Sequence, residues 1–269
     1  MNLRRPWPVA GLSVAPLVLV LAACAPSVPV ATPAPVKAPP RPDGLTVLRE
    51  MNARYAGKWY MTLTMKQNVV IISQTGRQTK QVWNEYVTLP GRLRIDYLPL
   101  SSKSGVLYAD GQMYGFSTGR QSAVQPGWHP LLTLMGDVYT QLPDTTAAQL
   151  DSLGFDLRQA RKDQWEGKEA WVIGAKAGDS TSSQFWVDVD SLLVRRVVQR
   201  DTRGATPVVT DTRFEKYRSV GGFPVAFALR SYRDGRLYFT QDVYGAKVGE
   251  RLAVELFEPQ RWAASQLKR

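Results

Sequence analysis

From Trp59 onward the chain repeats with a period of two: Trp59, Met61, Leu63 and Met65 alternate with Tyr60, Thr62, Thr64 and Lys66. Successive side chains of a strand point to opposite faces, so this spacing predicts a strand with one apolar face, which must be covered by something. The same alternation recurs at Leu93, Ile95 and Tyr97 against Arg92, Arg94 and Asp96, at Phe185, Val187 and Val189, and at Phe223, Val225, Phe227 and Leu229. Asp110-Gly111 and Asp234-Gly235 each stand between such runs, and these dipeptides supply the positive φ that a two-residue hairpin turn needs. A mostly antiparallel sheet follows.

Two stretches carry a different period. Asp43 is placed to cap a helix whose apolar face holds Leu48, Met51 and Tyr55, ending near Gly57. In mid-chain, Leu131, Leu134, Met135, Val138, Tyr139 and Leu142 fall at helical spacing as one broad stripe, and a second short helix is expected from Thr145 to about Leu153. Helix, strands, helix pair, strands is the order of an α+β fold: one large curved antiparallel sheet with helices gathered on one side.

The N-terminus reads as an export signal. Arg4 and Arg5 precede the apolar run Val9–Val20, which is shorter than the roughly 20 residues needed to cross a hydrocarbon core, and the run ends in Leu21-Ala22-Ala23-Cys24. That tetrad resembles a lipobox, which makes Cys24, the one cysteine of the chain, the expected site of lipid (palmitate) attachment. Three segments are therefore expected: a lipoprotein signal peptide (1–23), a lipidated cysteine with a Pro/Ala-rich tether (24–43), and a single folded domain (44–269). Proline-rich chain of this kind acts as a semi-rigid spacer. Ala25, standing where an aspartate would retain the protein at the inner membrane under the enteric sorting rule, points to the outer membrane, facing the periplasm.

Residues 1–23 hold two arginines and no acid, so their removal takes the formal charge from +11 to +9. A basic exported domain favours anionic partners. Nucleic acid is not expected, because the arginines are spread along strands and the location is outside the cytoplasm.

Residues for covalent chemistry are scarce. His129 is the only histidine, so no multi-histidine metal site can form, and its place before Pro130 at a helix start suits a cap better than a general base. Phosphate-binding and dinucleotide-binding glycine motifs are absent. Asp188 and Asp190 share a face opposite Phe185 and Val187, expected to be solvent, without further acids to make a calcium site or a glycosidase pair. The expectation is a binding protein with no enzymatic activity, no metal and no cofactor.

The segment Leu89-Pro90-Gly91-Arg92-Leu93-Arg94-Ile95-Asp96-Tyr97, followed by Tyr108-Ala109-Asp110-Gly111 and Met113-Tyr114, resembles a pattern of the outer-membrane lipoprotein-sorting proteins, the LolA/LolB-like superfamily. Phe185-Trp186-Val187-Asp188, Leu193-Val194-Arg195-Arg196, Phe223-Pro224 and Leu256-Phe257-Glu258-Pro259 follow in the order that superfamily shows. The resemblance implies an incomplete β-barrel, apolar inside, with helices as plug or lid, that holds acyl chains of lipid or lipoprotein; the lipobox makes the anchored receiver type the nearer comparison. Candidate cavity residues are then Trp59, Met61 and Leu63, Leu93 and Ile95, Val225 and Phe227, and the helical stripe Leu131, Leu134, Met135 and Val138. Arg92 or Arg94 is expected to contact a headgroup or to tie the lid shut, although the alternation points both outward. Val69-Val70-Ile71-Ile72 is a candidate cargo-catching loop, with continuation of the first hairpin as the plainer reading. The alternative functional class is a periplasmic sensor or structural module that grips a membrane-protein partner through its basic surface.

Overall fold

A computed structural model describes residues 43–265 of the chain. The expected signal peptide, Cys24 and the tether up to residue 42 lie outside the described residues. Alternation translates into thirteen strands in one sheet: β1 (Thr62–Ile72), β2 (Gln78–Thr88), β3 (Arg92–Tyr97), β4 (Ser104–Ala109), β5 (Gln112–Ser117), β6 (Arg120–Pro126), β7 (Ala160–Trp165), β8 (Lys168–Ile173), β9 (Gln184–Asp188), β10 (Val194–Asp201), β11 (Val208–Val220), β12 (Phe223–Arg233) and β13 (Arg236–Val248). The spatial order is β6-β5-β4-β3-β2-β1-β13-β12-β11-β10-β9-β8-β7. Two meanders are thus joined by the antiparallel pairing of β1 with β13, as in Leu63 opposite Val248. β6 and β7 are the free ends, so the sheet is not closed into a barrel.

Turn chemistry agrees with the strands. Asp110 and Gly111 stand at φ 52° and 72°, and Asp234 and Gly235 at φ 47° and 78°, the left-handed pair that a tight hairpin requires. Val69–Ile72 belongs to β1 and pairs with β2, so this segment is the hairpin and not a separate loop.

Among the described residues four α-helices accompany the sheet: α1 (Gly44–Tyr55), α2 (Pro130–Met135), α3 (Pro143–Ser152) and α4 (Trp262–Ser265). Asp43 caps α1 by accepting from the Thr46 N–H at 2.8 Å. The mid-chain stripe is not one continuous helix. It breaks at Gly136, where a Cβ would lie 2.5 Å from Leu89 Cδ2, and resumes as a 3-10 turn, Asp137–Tyr139. Leu142, expected on the apolar stripe, is 75% exposed.

The main core brings α1 (Val47, Leu48, Met51) and the mid-chain helices (Leu132, Leu134, Leu150) onto one face of the sheet, against residues such as Leu93, Phe185, Val187 and Leu229. Asn52 Nδ2 donates to the carbonyls of Val138 and Gln141, and the hydroxyls of Tyr55 and Tyr139 donate to the carbonyls of Ser191 and Leu192. Helices and the β9–β10 turn are therefore latched together by side-chain bonds as well as apolar contact. Asp188, expected at the solvent face, is buried; its Oδ1 accepts from Ser191 N and Oγ and so shapes that turn.

The other face of the sheet is also covered in places. Leu107, Ala109 and Phe116 pack with Leu256, Phe257 and Trp262 of the C-terminal segment. Arg94 is the centre of this layer. It is fully buried, pairs with Asp96 at 2.8 Å, and donates to Leu256 O, Ser265 Oγ and Trp262 O. The alternation puts Arg94 outward as expected, but it ties down the C-terminal segment and neither a lid nor a headgroup.

Candidate functional site

Between the sheet and the mid-chain helices lies a cavity of about 910 Å3. Pockets for small molecules usually span roughly 300–1,000 Å3, so this one is large. Seven of the eleven candidate residues line it: Trp59, Leu63, Leu93, Ile95, Leu131, Met135 and Val225. Of these, Leu63 (β1), Leu93 and Ile95 (β3) and Val225 (β12) belong to the sheet wall, and Leu131 and Met135 (α2) to the cover.

The other four are elsewhere. Leu134 and Val138 are fully buried in the main core, on the side of the helical segment packed away from the cavity. Helical spacing identifies an apolar face without telling whether space is left beneath it. Met61 is 51% exposed, because β1 begins at Thr62 and the chain before it has not yet entered the alternation; Trp59 and Tyr60 are both buried there. Phe227 sits outside the cavity wall with the Arg218 guanidinium 4.8 Å from its ring centre. Lys216, at φ 53°, breaks the period in the facing strand: Phe214 and Tyr217, three apart, both line the cavity, as do Ala226 and Leu229 opposite them.

One part of the cavity is polar. Glu85, Gln241, Ser231 and Thr212 line it, on β2, β13, β12 and β11, and Gln67 of β1 is the buried link between the first two. Gln241 Nε2 donates to Gln67 Oε1 at 2.5 Å, Gln67 Nε2 donates to Glu85 Oε2 at 2.8 Å, and the Thr212 and Ser231 hydroxyls bond at 2.9 Å. Glu85 lies in register between Met65 and Ile95, so its neighbours across both adjacent strands are apolar. Burial pushes its carboxyl up to about 7, opposed only by the Gln67 bond. This belt was missed from sequence, although its signal was present: Gln67 follows Leu63 and Met65 on the inward face of β1, and Glu85 falls between Trp83 and Val87 on that of β2.

At the edge of the cavity, His129 caps α2, its Nδ1 accepting from the Leu132 N–H at 3.2 Å. Burial pulls its pKa down to about 4, so the imidazole is neutral at physiological pH and its Nδ1 is already engaged. Asp137 accepts from the Gly91 N–H at 2.8 Å, and burial pushes its carboxyl up to about 6. Among the described residues no cluster of three or more His, Cys, Asp or Glu is arranged to hold a metal, and no helix is long and apolar enough to cross a membrane. A second cavity of about 820 Å3 lies on the other face, between β1, β13 and the C-terminal segment, with Lys66, Lys247, Glu250 and Arg251 on its wall.

No family model and no curated protein sequence matches the chain. Among solved structures, a domain from Vibrio parahaemolyticus named for outer membrane lipoprotein sorting superposes with a TM-score of 0.55 at 11% identity, over 82% of this chain and 98% of that one. A DUF1329 family protein from Desulfovibrio piger superposes with a TM-score of 0.53 at 15% identity, over 80% and 95%. A LolA superfamily protein from Nitrosomonas europaea reaches 0.48 at 10% identity, too low a score to add weight. Likeness at such identities is one of architecture: the open thirteen-stranded sheet with its helices shares its fold with the Vibrio and Desulfovibrio structures.

Proposed function

We propose that this chain is an envelope protein that holds the acyl chains of a lipid or lipoprotein in the cavity between the sheet and the mid-chain helices, without covalent chemistry, and serves lipoprotein sorting. The observation that carries this reading is the cavity of about 910 Å3 walled by Leu63, Leu93, Ile95 and Met135. Each methylene moved from water into such a space gains about 0.8 kcal/mol, so a chain of about fourteen carbons gains on the order of 11 kcal/mol before entropic costs. The architecture shared with the Vibrio domain agrees with the reading. So does the commitment of His129 to a helix cap, which leaves its ring without a free base on that side.

In the same proposal Cys24 carries the anchor, the tether holds the domain off the outer membrane, and the cavity faces the periplasm. Metabolic labelling with radioactive palmitate tests the anchor: label is expected on the wild type and none on Cys24→Ser, and equal label on both would remove it. Cavity binding is tested with a fluorescent acyl ester added to residues 43–269. Met135→Asp, which puts a charge on the cavity wall, is expected to weaken binding at least about tenfold, since an unpaired charge in an apolar site is costly. Unchanged binding by that variant would place the ligand elsewhere.

A further inference from the structure

Glu85 stands out inside the cavity. Its Oε2 is held by Gln67, and its Oε1 has no partner among the described residues. None of the described lysines or arginines pairs with it; of the cations on the cavity wall, Arg203 is engaged with Asp201 at 2.8 Å. A half-buried carboxylate without a counter-charge is costly, and Met65 and Ile95 on either side offer it nothing. A fold meant only to accept alkyl chain would be better served by an apolar residue at this position, as at Leu63 and Leu93. Three strands instead carry the relay Gln241–Gln67–Glu85, which fixes the orientation of the carboxyl and leaves one oxygen aimed at the cavity's contents.

We propose that Glu85 is the polar anchor of the cavity, and that the ligand it selects is a long-chain amphiphile with an ammonium head. The chain lies against Leu63, Leu93 and Met135, and the ammonium meets Glu85 Oε1. This rests on the acyl-binding reading above and narrows it to a class of ligand. An ammonium supplies both the missing counter-charge and an N–H donor, and charge-assisted hydrogen bonds are the strong ones. A neutral alcohol head supplies a weaker donor and no charge. Carboxylate or phosphate heads meet like charge.

The test uses the full chain in its own membrane and two photoreactive probes of equal chain length, a diazirine-bearing alkylamine and the matching alcohol. Cross-linking to cavity peptides is measured by mass spectrometry and normalised to labelling of membrane lipid. The amine is expected to label peptides containing Leu63, Leu93 and Met135 about tenfold more than the alcohol. In Glu85→Leu the two probes are expected to label alike, with the alcohol undiminished. Glu85→Gln keeps the neighbouring Gln67 bond and its shape, and is expected to lose most of the excess. Equal labelling of the wild type, or an excess that survives in Glu85→Leu, overturns the anchor while leaving a lipid cavity. Absence of cavity labelling by either probe overturns the acyl-binding reading itself.

Discussion

Asp137 Oδ1 accepts a 2.8 Å hydrogen bond from the backbone N–H of Gly91, so the helical cover of the cavity is tied to the Pro-Gly turn between β2 and β3. The other oxygen, Oδ2, is buried without a partner among the described residues. Burial pushes the carboxyl up to about 6 from its ordinary 3.8, and the Gly91 bond opposes that shift only in part.

A pH dependence follows, with a definite sign. Below about pH 4 the carboxyl is protonated in both folded and unfolded chain; between about 4 and 6 the unfolded chain loses the proton and the folded one keeps it. Stability from this group is therefore complete at low pH and falls as pH rises through 6, by roughly 1–3 kcal/mol. Asp137→Asn keeps an acceptor for Gly91 and has no charge to bury. Urea unfolding is expected to find it at least as stable as wild type at pH 7.5, with a shallower loss between pH 4 and 6. Asp137→Ala should instead lose about 1 kcal/mol with the Gly91 bond.

Arg94 controls a different part of the molecule. Its guanidinium lies 4.0 Å from the ring centre of Trp262, which in turn stacks on Phe116 at 4.2 Å. Removing one partner of a buried pair costs about 3–5 kcal/mol because the other charge is stranded, here Asp96. Arg94→Ala is expected to lower stability by that amount and to speed hydrogen exchange in residues 254–265 selectively. Exchange there at the wild-type rate would mean that the C-terminal segment is held by apolar contact alone.

Leu134 and Met135 are neighbours in sequence with different duties. Leu134 is fully buried in the core, whereas Met135 lines the cavity. Leu134→Ala is expected to cost about 2–5 kcal/mol of stability. Met135→Ala faces space that already exists and should cost about 1 kcal/mol or less, yet weaken acyl binding. Thermal unfolding and probe binding on the two variants separate the roles, and equal destabilisation by both would mean that α2 packs on a closed core.

Much of the fold was legible because alternation and hairpin dipeptides are local. Leu63, Leu93, Ile95 and the Asp110-Gly111 and Asp234-Gly235 turns stand where their spacing puts them. What failed depended on partners far away in the chain. The mid-chain helix ends at Gly136, a position held to glycine because Leu89 occupies the space of a side chain, and Phe227 leaves the cavity wall where Lys216 interrupts the facing strand. Arg94 looks like a solvent residue until residues 256–265 cover it. The polar belt is present in the register of β1 and β2, as Gln67 and Glu85 on inward positions, but a polar residue in an alternating run carries no local sign that it faces a cavity.

Native mass spectrometry with lipid extraction, on residues 43–269 released from a bacterial membrane preparation, tests the central claim most directly. Bound acyl species that remain through purification and disappear in Met135→Asp are the predicted result. A wild-type protein that emerges empty, unfolds cooperatively in urea, and takes up no added acyl chain would contradict a lipid-holding cavity and direct attention to the surface as a protein-binding module.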